Sequence, residues 1–181
     1  MSTIMPLPIK GSWLISTEEF KDSRGMFREW LPNSACKEMF GKSFEVAQAN
    51  FSVSKKGTVR GIHYSLAPEG QAKLVTCLTG KIFDVVVDLR ADSETFGHWH
   101  GVILSAENPQ SLYVGPGLGH AFLAMEDNSG VAYLLSSAYN KEMEHGINPM
   151  DTEIGIAWPE IEFLLSDKDV EAPSFKDAKL K

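Results

Sequence analysis

Short runs of β-forming residues, separated by glycine, proline, asparagine and aspartate, fill most of this 181-residue chain beyond its first quarter. Val46–Ser54 and Thr58–Tyr64 alternate between the two faces that a half-buried strand presents. Nine strands are predicted: Val46–Ser54, Thr58–Tyr64, Lys73–Leu78, Ile82–Leu89, Trp99–Ser105, Ser111–Val114, His120–Met125, Val131–Ser137 and Glu153–Trp158. Without helices between them, such strands predict an all-β fold, an antiparallel β-sandwich or barrel.

Helix signals are confined to the two ends of the chain. Asn33-Ser34 predicts the cap of a short helix that runs through Phe40 and is closed by Gly41. Ser166–Asp169 predicts a cap or turn near the C-terminus, followed by a short, charged and loosely held tail over 174–181. No repeat, low-complexity tract or boundary divides the chain, so residues 1–181 are predicted to form one domain.

The balance of charge narrows the range of partners. A formal net charge of −7 argues against broad binding to nucleic acid or to an anionic membrane. An anionic ligand would therefore be held by a few placed arginines and lysines.

Cysteine use and hydropathy indicate the compartment. Cys36 and Cys77 form neither a zinc motif nor a CxxC pair, and buried reduced thiols are expected. Residues 1–11 lack the pattern of a secretory signal, and no apolar run approaches the ~20 residues of a membrane span. A cytoplasmic protein is predicted.

Three segments place polar side chains where a half-buried strand usually has apolar ones. They are Gln48–Asn50, Arg60–Tyr64 and the stretch from Val131 to Tyr139, which contains Tyr133. A polar, concave sheet face is a common small-ligand site. Each segment also has a structural explanation, since strand histidines, amides and tyrosines often only satisfy backbone groups or fill the core. Spacing alone predicts a β-sandwich with a polar pocket.

His98-Trp99-His100 has a spacing that puts two imidazoles on one strand face, as metal-binding cupins do. Such sites need a third ligand and usually a fourth, but Leu104 and Ser105 stand where a carboxylate would be expected. No metal site is predicted here, and an exposed strand edge is the simpler interpretation.

Nine segments resemble, in order and spacing, the dTDP-4-dehydrorhamnose 3,5-epimerase family. The resemblance extends from about residue 11 to residue 173. The segments are Phe20-Lys-Asp-Ser-Arg24-Gly-Met-Phe27-Arg-Glu29, Gln48-Ala-Asn50-Phe-Ser-Val-Ser, Val59-Arg60-Gly-Ile-His63-Tyr64, Gln71-Ala-Lys73-Leu-Val, Asp84-Val-Val-Val-Asp88-Leu-Arg90, Gly119-His120-Ala-Phe122, Tyr133 with Tyr139, Gly155-Ile-Ala-Trp158-Pro159 and Leu165-Ser-Asp-Lys168-Asp169.

The resemblance implies a cupin-type jelly roll that works as a homodimer, with N-terminal segments crossing to the partner. It also implies a thymidine-diphospho 4-keto-6-deoxy sugar as substrate, and neither metal nor organic cofactor.

Catalytic roles follow from the same resemblance, residue by residue. His63 matches the base and Asp169 the carboxylate that orients it. Lys73 matches the cation that faces the developing enolate oxygen, and Tyr133 matches the acid on the opposite face of the sugar.

Ligand contacts are implied in the same way. Arg24, Arg60 and Lys168 match positions near the diphosphate, where a guanidinium can give two parallel hydrogen bonds. Tyr139 matches the residue that stacks on thymine, with Phe27 as an opposite wall. Further nucleotide or sugar contacts are implied for Glu29, Gln48, Asn50, His120 and Glu144, and Arg24, Phe27 and Glu29 would come from the partner.

Two details of the sequence depart from strict strand alternation or from the usual family pattern. Strict alternation puts Arg60 and His63 on opposite faces, so a bulge at Gly61 is predicted. Ser65 and the Gly119-His120-Ala121 segment differ from the usual family pattern, which leaves open an enzyme that inverts carbon 3 or carbon 5 alone. A metal-dependent cupin and a non-catalytic sugar-binding sandwich are the alternatives from other classes.

Overall fold

The alternating segments form strands in the computed structural model, which describes residues 3–31, 33–41 and 43–180. Eight of the nine predicted strands are present, with ends shifted by no more than two residues. The strands are β1 Thr3–Pro6, β2 Ser12–Ser16, β3 Glu19–Asp22, β4 Gly25–Arg28, β5 Gln48–Ser54, β6 Val59–Ser65, β7 Lys73–Thr79, β8 Lys81–Asp88, β9 Trp99–Ser105, β10 Gln110–Val114, β11 Leu118–Ala124, β12 Ser129–Leu135 and β13 Glu144–Gly146; the helices are α1 Asn33–Phe40 and α2 Asp167–Val170.

Two antiparallel sheets face each other. The first sheet has the strand order β1-β2-β10-β7-β12-β5 and the second β13-β6-β11-β8-β9, while β3 and β4 form a separate hairpin. Every pairing within the sheets is antiparallel. The predicted all-β, cupin-type antiparallel sandwich is confirmed.

The space between the sheets is apolar at one end and polar at the other. Val75, Leu112 and Val131 of the first sheet meet Val86 and Phe122 of the second in one buried cluster. Burying such side chains contributes roughly 1.5–3 kcal/mol each. This cluster is the rigid base on which the polar end is built.

Short segments outside the strands cover the outer faces of the sheets. Ala35 and Cys36 of α1 pack on Ile15 and Leu74 of the first sheet. α1 and α2 have eight and four residues, and none of the helices among the described residues is long and apolar enough to cross a membrane. Cys36 and Cys77 are buried and free, as predicted.

The C-terminal segment differs from the prediction of a loose tail over 174–181. Phe175 is 8% exposed and packs with Ile147 and Ile154 against the outer face of the second sheet. The Tyr64 hydroxyl donates to the Lys179 carbonyl at 2.8 Å. One aromatic side chain and one tyrosine hydroxyl thus fix this segment, although its composition is polar and charged.

The predicted strand Glu153–Trp158 is wrong. The segment is a turn, because the Asp151 carboxylate accepts hydrogen bonds from the backbone amides of Glu153 and Ile154. Gly155 then takes a φ of +61°, a left-handed conformation that an extended strand does not use. An aspartate that satisfies nearby amides competes with strand formation in this way.

The hairpin β3–β4 carries large apolar side chains into solvent. Phe20 is 57% and Phe27 67% exposed, and the two rings lie 6.4 Å apart. Arg28 fixes the base of the hairpin by donating to the Thr76 hydroxyl and the Cys77 carbonyl at 3.3 Å. The tip therefore extends from a fixed base beyond the sandwich of its own chain.

Candidate active site

The polar end of the inter-sheet space begins with a bulge in β6. His120 of β11 pairs with His63, and Phe122 pairs with Arg60, so three steps on β6 match two on β11. Gly61 has a φ of +121°, and a Cβ there would lie 2.6 Å from the His120 carbonyl oxygen. The extra residue brings Arg60 and His63 to one face, which confirms the predicted bulge.

His63 is held by a carboxylate from α2. Its Nε2 lies 2.7 Å from Asp169 Oδ1. An ionised carboxylate only accepts, so Nε2 carries the proton and Nδ1 of the neutral ring is left as the basic atom. The His63 side chain is 36% exposed, whereas that of Asp169 is 7% exposed. This pair has the geometry of an oriented general base.

Ser166 completes the arrangement around Asp169. Its hydroxyl donates to Asp169 Oδ2 at 2.8 Å and accepts from the Asp169 amide at 3.2 Å, which caps α2. Burial acts to raise the pKa of Asp169, but hydrogen bonds from His63 and Ser166 and the nearby Lys168 hold that pKa below its usual value. Asp169 is therefore kept as an anion beside the imidazole.

Lys73 crosses from the first sheet to the second. Its ammonium donates to the His63 carbonyl at 3.2 Å, and the residue is 7% exposed. Burial lowers the pKa of Lys73 to about 8, against the opposing charges of Glu144 and Asp84. A cation in such a dry site interacts strongly with a negative charge that develops beside it.

Tyr133 points into the inter-sheet space from the first sheet, opposite the sheet that carries His63. It lies on β12, opposite Asn50 of β5 and Val75 of β7, and packs on the inter-sheet cluster. A base on one sheet and a phenol on the other can approach a molecule between them from its two faces.

Several predicted binding residues line the same end of the sandwich. Arg60 Nε donates to the Ser54 hydroxyl at 3.2 Å, so this side chain bridges the two sheets. Gln48 donates to Asn50 Oδ1 at 2.9 Å and accepts from the Tyr139 amide at 2.8 Å, while the Tyr139 side chain stays exposed. These contacts leave the Tyr139 ring free to stack on a planar group.

A second histidine–carboxylate pair lies beside the first. His120 Nε2 is 2.6 Å from Asp84 Oδ1, and both residues are buried. Glu144 accepts from Gln71 Nε2 at 3.2 Å on the neighbouring edge strand, opposite Ser65. The structure thus brings His120 and Glu144 to the site, as the resemblance implies.

Four predicted binding residues lie outside this group in a single chain. Arg24 is engaged by Asp22 at the exposed tip of the hairpin, and Phe27 lies against Phe20. Glu29 is exposed just after β4, and Lys168 is exposed on α2 beside the buried Asp169. Lys168 is at the rim, whereas the hairpin residues are not aimed at the cleft of their own chain.

The described residues contain no cluster of three or more His, Cys, Asp or Glu side chains that could hold a metal ion. His100 lies on β9, opposite Val86, and burial lowers its pKa.

A sequence profile described as dTDP-4-dehydrorhamnose 3,5-epimerase matches residues 6–177. The chain belongs to this family. The enzyme of that name from Mycolicibacterium smegmatis is 47% identical over 97% of this chain and 87% of its own length. These matches confirm the predicted family and its class, an isomerase.

Solved structures of family members share the fold over nearly the whole chain. A 4-keto-6-deoxy sugar epimerase from the novobiocin gene cluster of Streptomyces spheroides superposes with a TM-score of 0.95 and 42% identity, over 98% of this chain and 89% of that one. A 3′-monoepimerase from Streptomyces bikiniensis, in complex with dTDP-quinovose, gives 0.91 and 45% over 95% and 87%. The family thus contains enzymes that invert one carbon as well as two.

Sequence reasoning did not assign four residues to this epimerase-family site, although it predicted Ser166 as part of a cap or turn. Ser166 and Gln71 contact Asp169 and Glu144, and Asp84 holds His120. Ser52 is a fourth: its hydroxyl is buried on β5 without a hydrogen-bond partner among the described residues. A polar residue at an inward position of a strand was the available signal for Asp84 and Ser52.

Proposed function

We propose that this chain inverts carbons 3 and 5 of dTDP-4-dehydro-6-deoxy-D-glucose, giving dTDP-4-dehydro-L-rhamnose, without metal or organic cofactor. The observation that carries the proposal is the placement of the His63–Asp169 pair and Tyr133 on facing sheets. Inversion needs a base on one face of the sugar and an acid on the other, and this cleft offers both.

The first step is removal of a proton beside the ketone. Nδ1 of neutral His63 takes the proton from carbon 3 or carbon 5, and the C–H electron pair moves into the bond to carbon 4, forming an enolate. Asp169 stabilises the imidazolium that results, because its Oδ1 already accepts the proton of Nε2. Such a base contributes roughly 10²–10⁴-fold to the rate.

The enolate oxygen is the group that Lys73 stabilises. Its ammonium is buried and fixed by the His63 carbonyl, so it needs no rearrangement when the charge appears. The interaction is stronger with the enolate than with the ketone, which is the condition for lowering the barrier.

The second step returns a proton to the opposite face. The Tyr133 hydroxyl supplies it, the enolate collapses to the ketone, and the carbon is inverted. Tyrosinate then regains a proton from solvent while His63 releases the one it took. Each inversion is thus balanced by one proton taken and one returned.

Substrate is held by residues on three sides of the cleft. Arg60 and Lys168 serve the diphosphate, and Gln48, Asn50 and Tyr139 serve the thymidine, with His120 and Glu144 nearer the sugar. Arg24, Phe27 and Glu29 complete the site from a partner subunit in a homodimer. The exposed aromatic side chains of the hairpin and the 88% exposure of the Arg24 side chain support this assembly. We place the enzyme in the cytoplasm, with its two thiols reduced.

A mono-epimerase acting on a related dTDP-4-keto sugar is the second candidate. A 3′-monoepimerase is 45% identical to this chain and a 3,5-epimerase is 47% identical, so sequence identity does not separate the two candidates.

Deuterium incorporation from heavy water tests the proposal. NMR of dTDP-4-keto-6-deoxyglucose incubated with the enzyme should show deuterium at carbons 3 and 5, with inversion at both. Labelling at one carbon alone would identify the mono-epimerase. No labelling at either carbon, in folded protein that binds dTDP, would reject epimerase function.

Tyr133→Phe gives the test of the acid. Net inversion should slow much more than loss of deuterium from labelled substrate, because abstraction by His63 precedes protonation. Equal slowing of both would assign Tyr133 to substrate positioning instead.

A further inference from the structure

The carboxylate that orients the base is itself held at two points. Asp169 accepts from His63 through Oδ1 at 2.7 Å and from the Ser166 hydroxyl through Oδ2 at 2.8 Å. The Asp169 side chain is 7% exposed, so little of it is open to water. A chain of three side chains therefore leads from the cap of α2, through Asp169, to the imidazole of His63.

The backbone of the α2 segment is anchored on both sides of that chain. Before α2, the Leu164 amide donates to the Gly57 carbonyl at 2.8 Å, and the Leu164 carbonyl accepts from the Val59 amide at 2.9 Å. Val59 is the first residue of β6, the strand that carries His63. At the end of α2, Asn148 Nδ2 donates to the Val170 carbonyl at 3.1 Å. These contacts fix where α2 lies relative to β6.

The anchors do not fix the rotation of the Asp169 carboxylate. The torsion about the last bond of an aspartate side chain is broad and roughly two-fold. A hydrogen bond to Oδ2 restricts that rotation and leaves Oδ1 directed at His63. Within residues 3–31, 33–41 and 43–180, Asp169 supplies the one hydrogen bond to the His63 ring. The orientation of the ring therefore depends on that of the carboxylate.

The Ser166 hydroxyl has two separate uses. Burial acts to raise the pKa of Asp169, while hydrogen bonds from His63 and Ser166 and the charge of Lys168 hold that pKa below its usual value. The carboxylate is thus ionised and only accepts, so the hydroxyl donates to Oδ2. The hydroxyl oxygen also accepts from the Asp169 amide at 3.2 Å, which is ordinary capping. Donation to Oδ2 is a contact that capping does not require.

We propose that Ser166 is a positioning residue of the base. Its hydroxyl fixes the rotation of the Asp169 carboxylate and, through it, the orientation of the His63 ring. Ser166 is exposed, so water can replace part of this contact and the expected effects are modest. The catalytic consequence rests on the proposed function, whereas the order of the His63 ring is measurable without substrate.

Three substitutions at Ser166 separate positioning from capping. Ser166→Ala removes both the cap and the bond to Oδ2. Ser166→Gly removes the bond to Oδ2, but glycine lowers helix stability at a cap much less than alanine does. Ser166→Thr keeps a hydroxyl for both contacts. Positioning therefore predicts the same behaviour of the base in the glycine and alanine variants, whereas capping alone predicts a change in the alanine variant only.

The first measurement is NMR of protein that contains ¹⁵N-labelled histidine. The Nε2–H resonance of His63 is identified by its loss in His63→Ala. Exchange of this proton with water is slowed by the bond to Asp169, and it should become roughly two- to tenfold faster in Ser166→Gly and Ser166→Ala. Ser166→Thr should match the wild type. An unchanged exchange rate in Ser166→Gly would overturn the proposal.

The second measurement is deuterium exchange into substrate. Ser166→Gly should lower kcat by about fivefold or less and leave KM near the wild-type value, because Ser166 acts through Asp169 rather than on the substrate. If only Ser166→Ala slowed exchange, or if KM rose at unchanged kcat, the positioning role would be wrong. Absence of exchange in the wild type would instead reject the proposed function and leave the NMR result standing.

Ser174→Gly is the matched control. The Ser174 hydroxyl donates to Asp177 Oδ2 at 2.6 Å and accepts from the Asp177 amide at 3.3 Å, the same arrangement in the C-terminal segment rather than at the base. This variant should leave both the exchange of the His63 Nε2–H and kcat at their wild-type values. Equal changes in Ser174→Gly and Ser166→Gly would indicate a general effect of loosening the chain and would also reject the proposal.

Discussion

Two histidine–carboxylate pairs lie side by side on the second sheet and differ mainly in access. His63 and Asp169 are 2.7 Å apart, and His120 and Asp84 are 2.6 Å apart, while the two histidines pair directly across β6 and β11. The His63 side chain is 36% exposed and that of His120 is 9% exposed. The same chemical unit is thus available to a ligand at one position and enclosed at the other.

The two histidines differ in exposure because their carboxylate partners come from different elements. Asp169 reaches His63 from α2, a four-residue helix that Ser166 caps. Asp84 belongs to β8, which pairs with a strand on each side, and has no exposed surface. A base has to meet substrate and exchange its proton with solvent, whereas a fixed electrostatic element is more effective where water is excluded.

The largest expected effect on the exchange rate comes from changing His63, the more exposed of the two histidines. His63→Ala should lower deuterium exchange at both carbons by roughly 10²–10⁴-fold, because the base is lost, while dTDP affinity stays close to that of the wild type. NMR exchange and calorimetry measure the two quantities.

His120→Ala is the matched variant on the neighbouring strand. It should reduce exchange less than His63→Ala does. If His63→Ala kept a tenth of the wild-type rate, or if His120→Ala were the more damaging change, the assignment of the base would be wrong.

The buried part of the site is tested through Lys73, by the pH dependence of the free energy of unfolding. The pKa of Lys73 is lowered by burial to about 8, from the 10.5 of free lysine. Between these values the unfolded chain binds a proton at this lysine and the folded chain does not, so folding becomes more favourable as pH rises. Relative to Lys73→Met, the wild type should gain about 3 kcal/mol in unfolding free energy from below pH 8 to above pH 10.5.

Urea denaturation of both proteins across this pH range measures the difference. Cys77 and Tyr113, whose pKa values burial raises to about 11 and about 12, are present in both proteins and cancel. A difference in unfolding free energy that does not change with pH would contradict the lowered pKa of buried Lys73.

We expect the contact to the substrate's phosphates to come from Arg60, close to the more exposed histidine, His63. Arg60 lies three residues before His63 on the same face and bridges to Ser54. Arg60→Ala should weaken dTDP binding by about 1.5–3 kcal/mol, because a charge-assisted hydrogen bond to phosphate is lost. Calorimetry measures this, with Lys55→Ala as a control that removes a nearby exposed cation outside the cleft. Equal losses in both variants would point to a general field rather than a contact.

The smallest effect separates local capping from support of the base. Ser166 and Ser174 make the same arrangement, a hydroxyl that donates to an aspartate three residues on and accepts from its amide. Ser166→Ala and Ser174→Ala should each cost up to about 1 kcal/mol of stability. Only Ser166→Ala should also slow exchange, by about fivefold or less. Equal exchange rates in the two variants would limit Ser166 to capping.

The pattern of β-forming runs between turn residues predicted the sandwich well, and β5 also alternates in exposure at every second residue. It was wrong for Glu153–Trp158, where the decisive interaction is one carboxylate accepting from two amides. It also could not indicate that Phe175 anchors the C-terminal segment, since that depends on packing against Ile147 and Ile154, which are distant in sequence.

The site was predictable to the extent that its residues are polar at inward positions or belong to family segments. The pairing of His63 with Asp169 spans 106 residues, so only the family resemblance could suggest it. The hydrogen bonds of Ser166 to Asp169 and of Asp84 to His120 depend on how the chain folds and could not be predicted from the sequence pattern. The placement of Arg24, Phe27 and Glu29 in a partner's cleft stays a prediction.

The bulge at Gly61 acts on the side-chain pattern as a frameshift acts on a reading frame. Before the bulge, even-numbered residues of β6 face the cleft, and after it odd-numbered residues do. Arg60 and His63 therefore both face the cleft. Deleting one residue here would restore regular pairing and turn one of them to the opposite face. A strand redesigned to ideal alternation could thus keep Arg60 or His63 in the cleft, but not both. The irregularity is what allows one short strand to present both the proposed phosphate contact and the proposed base to one cleft.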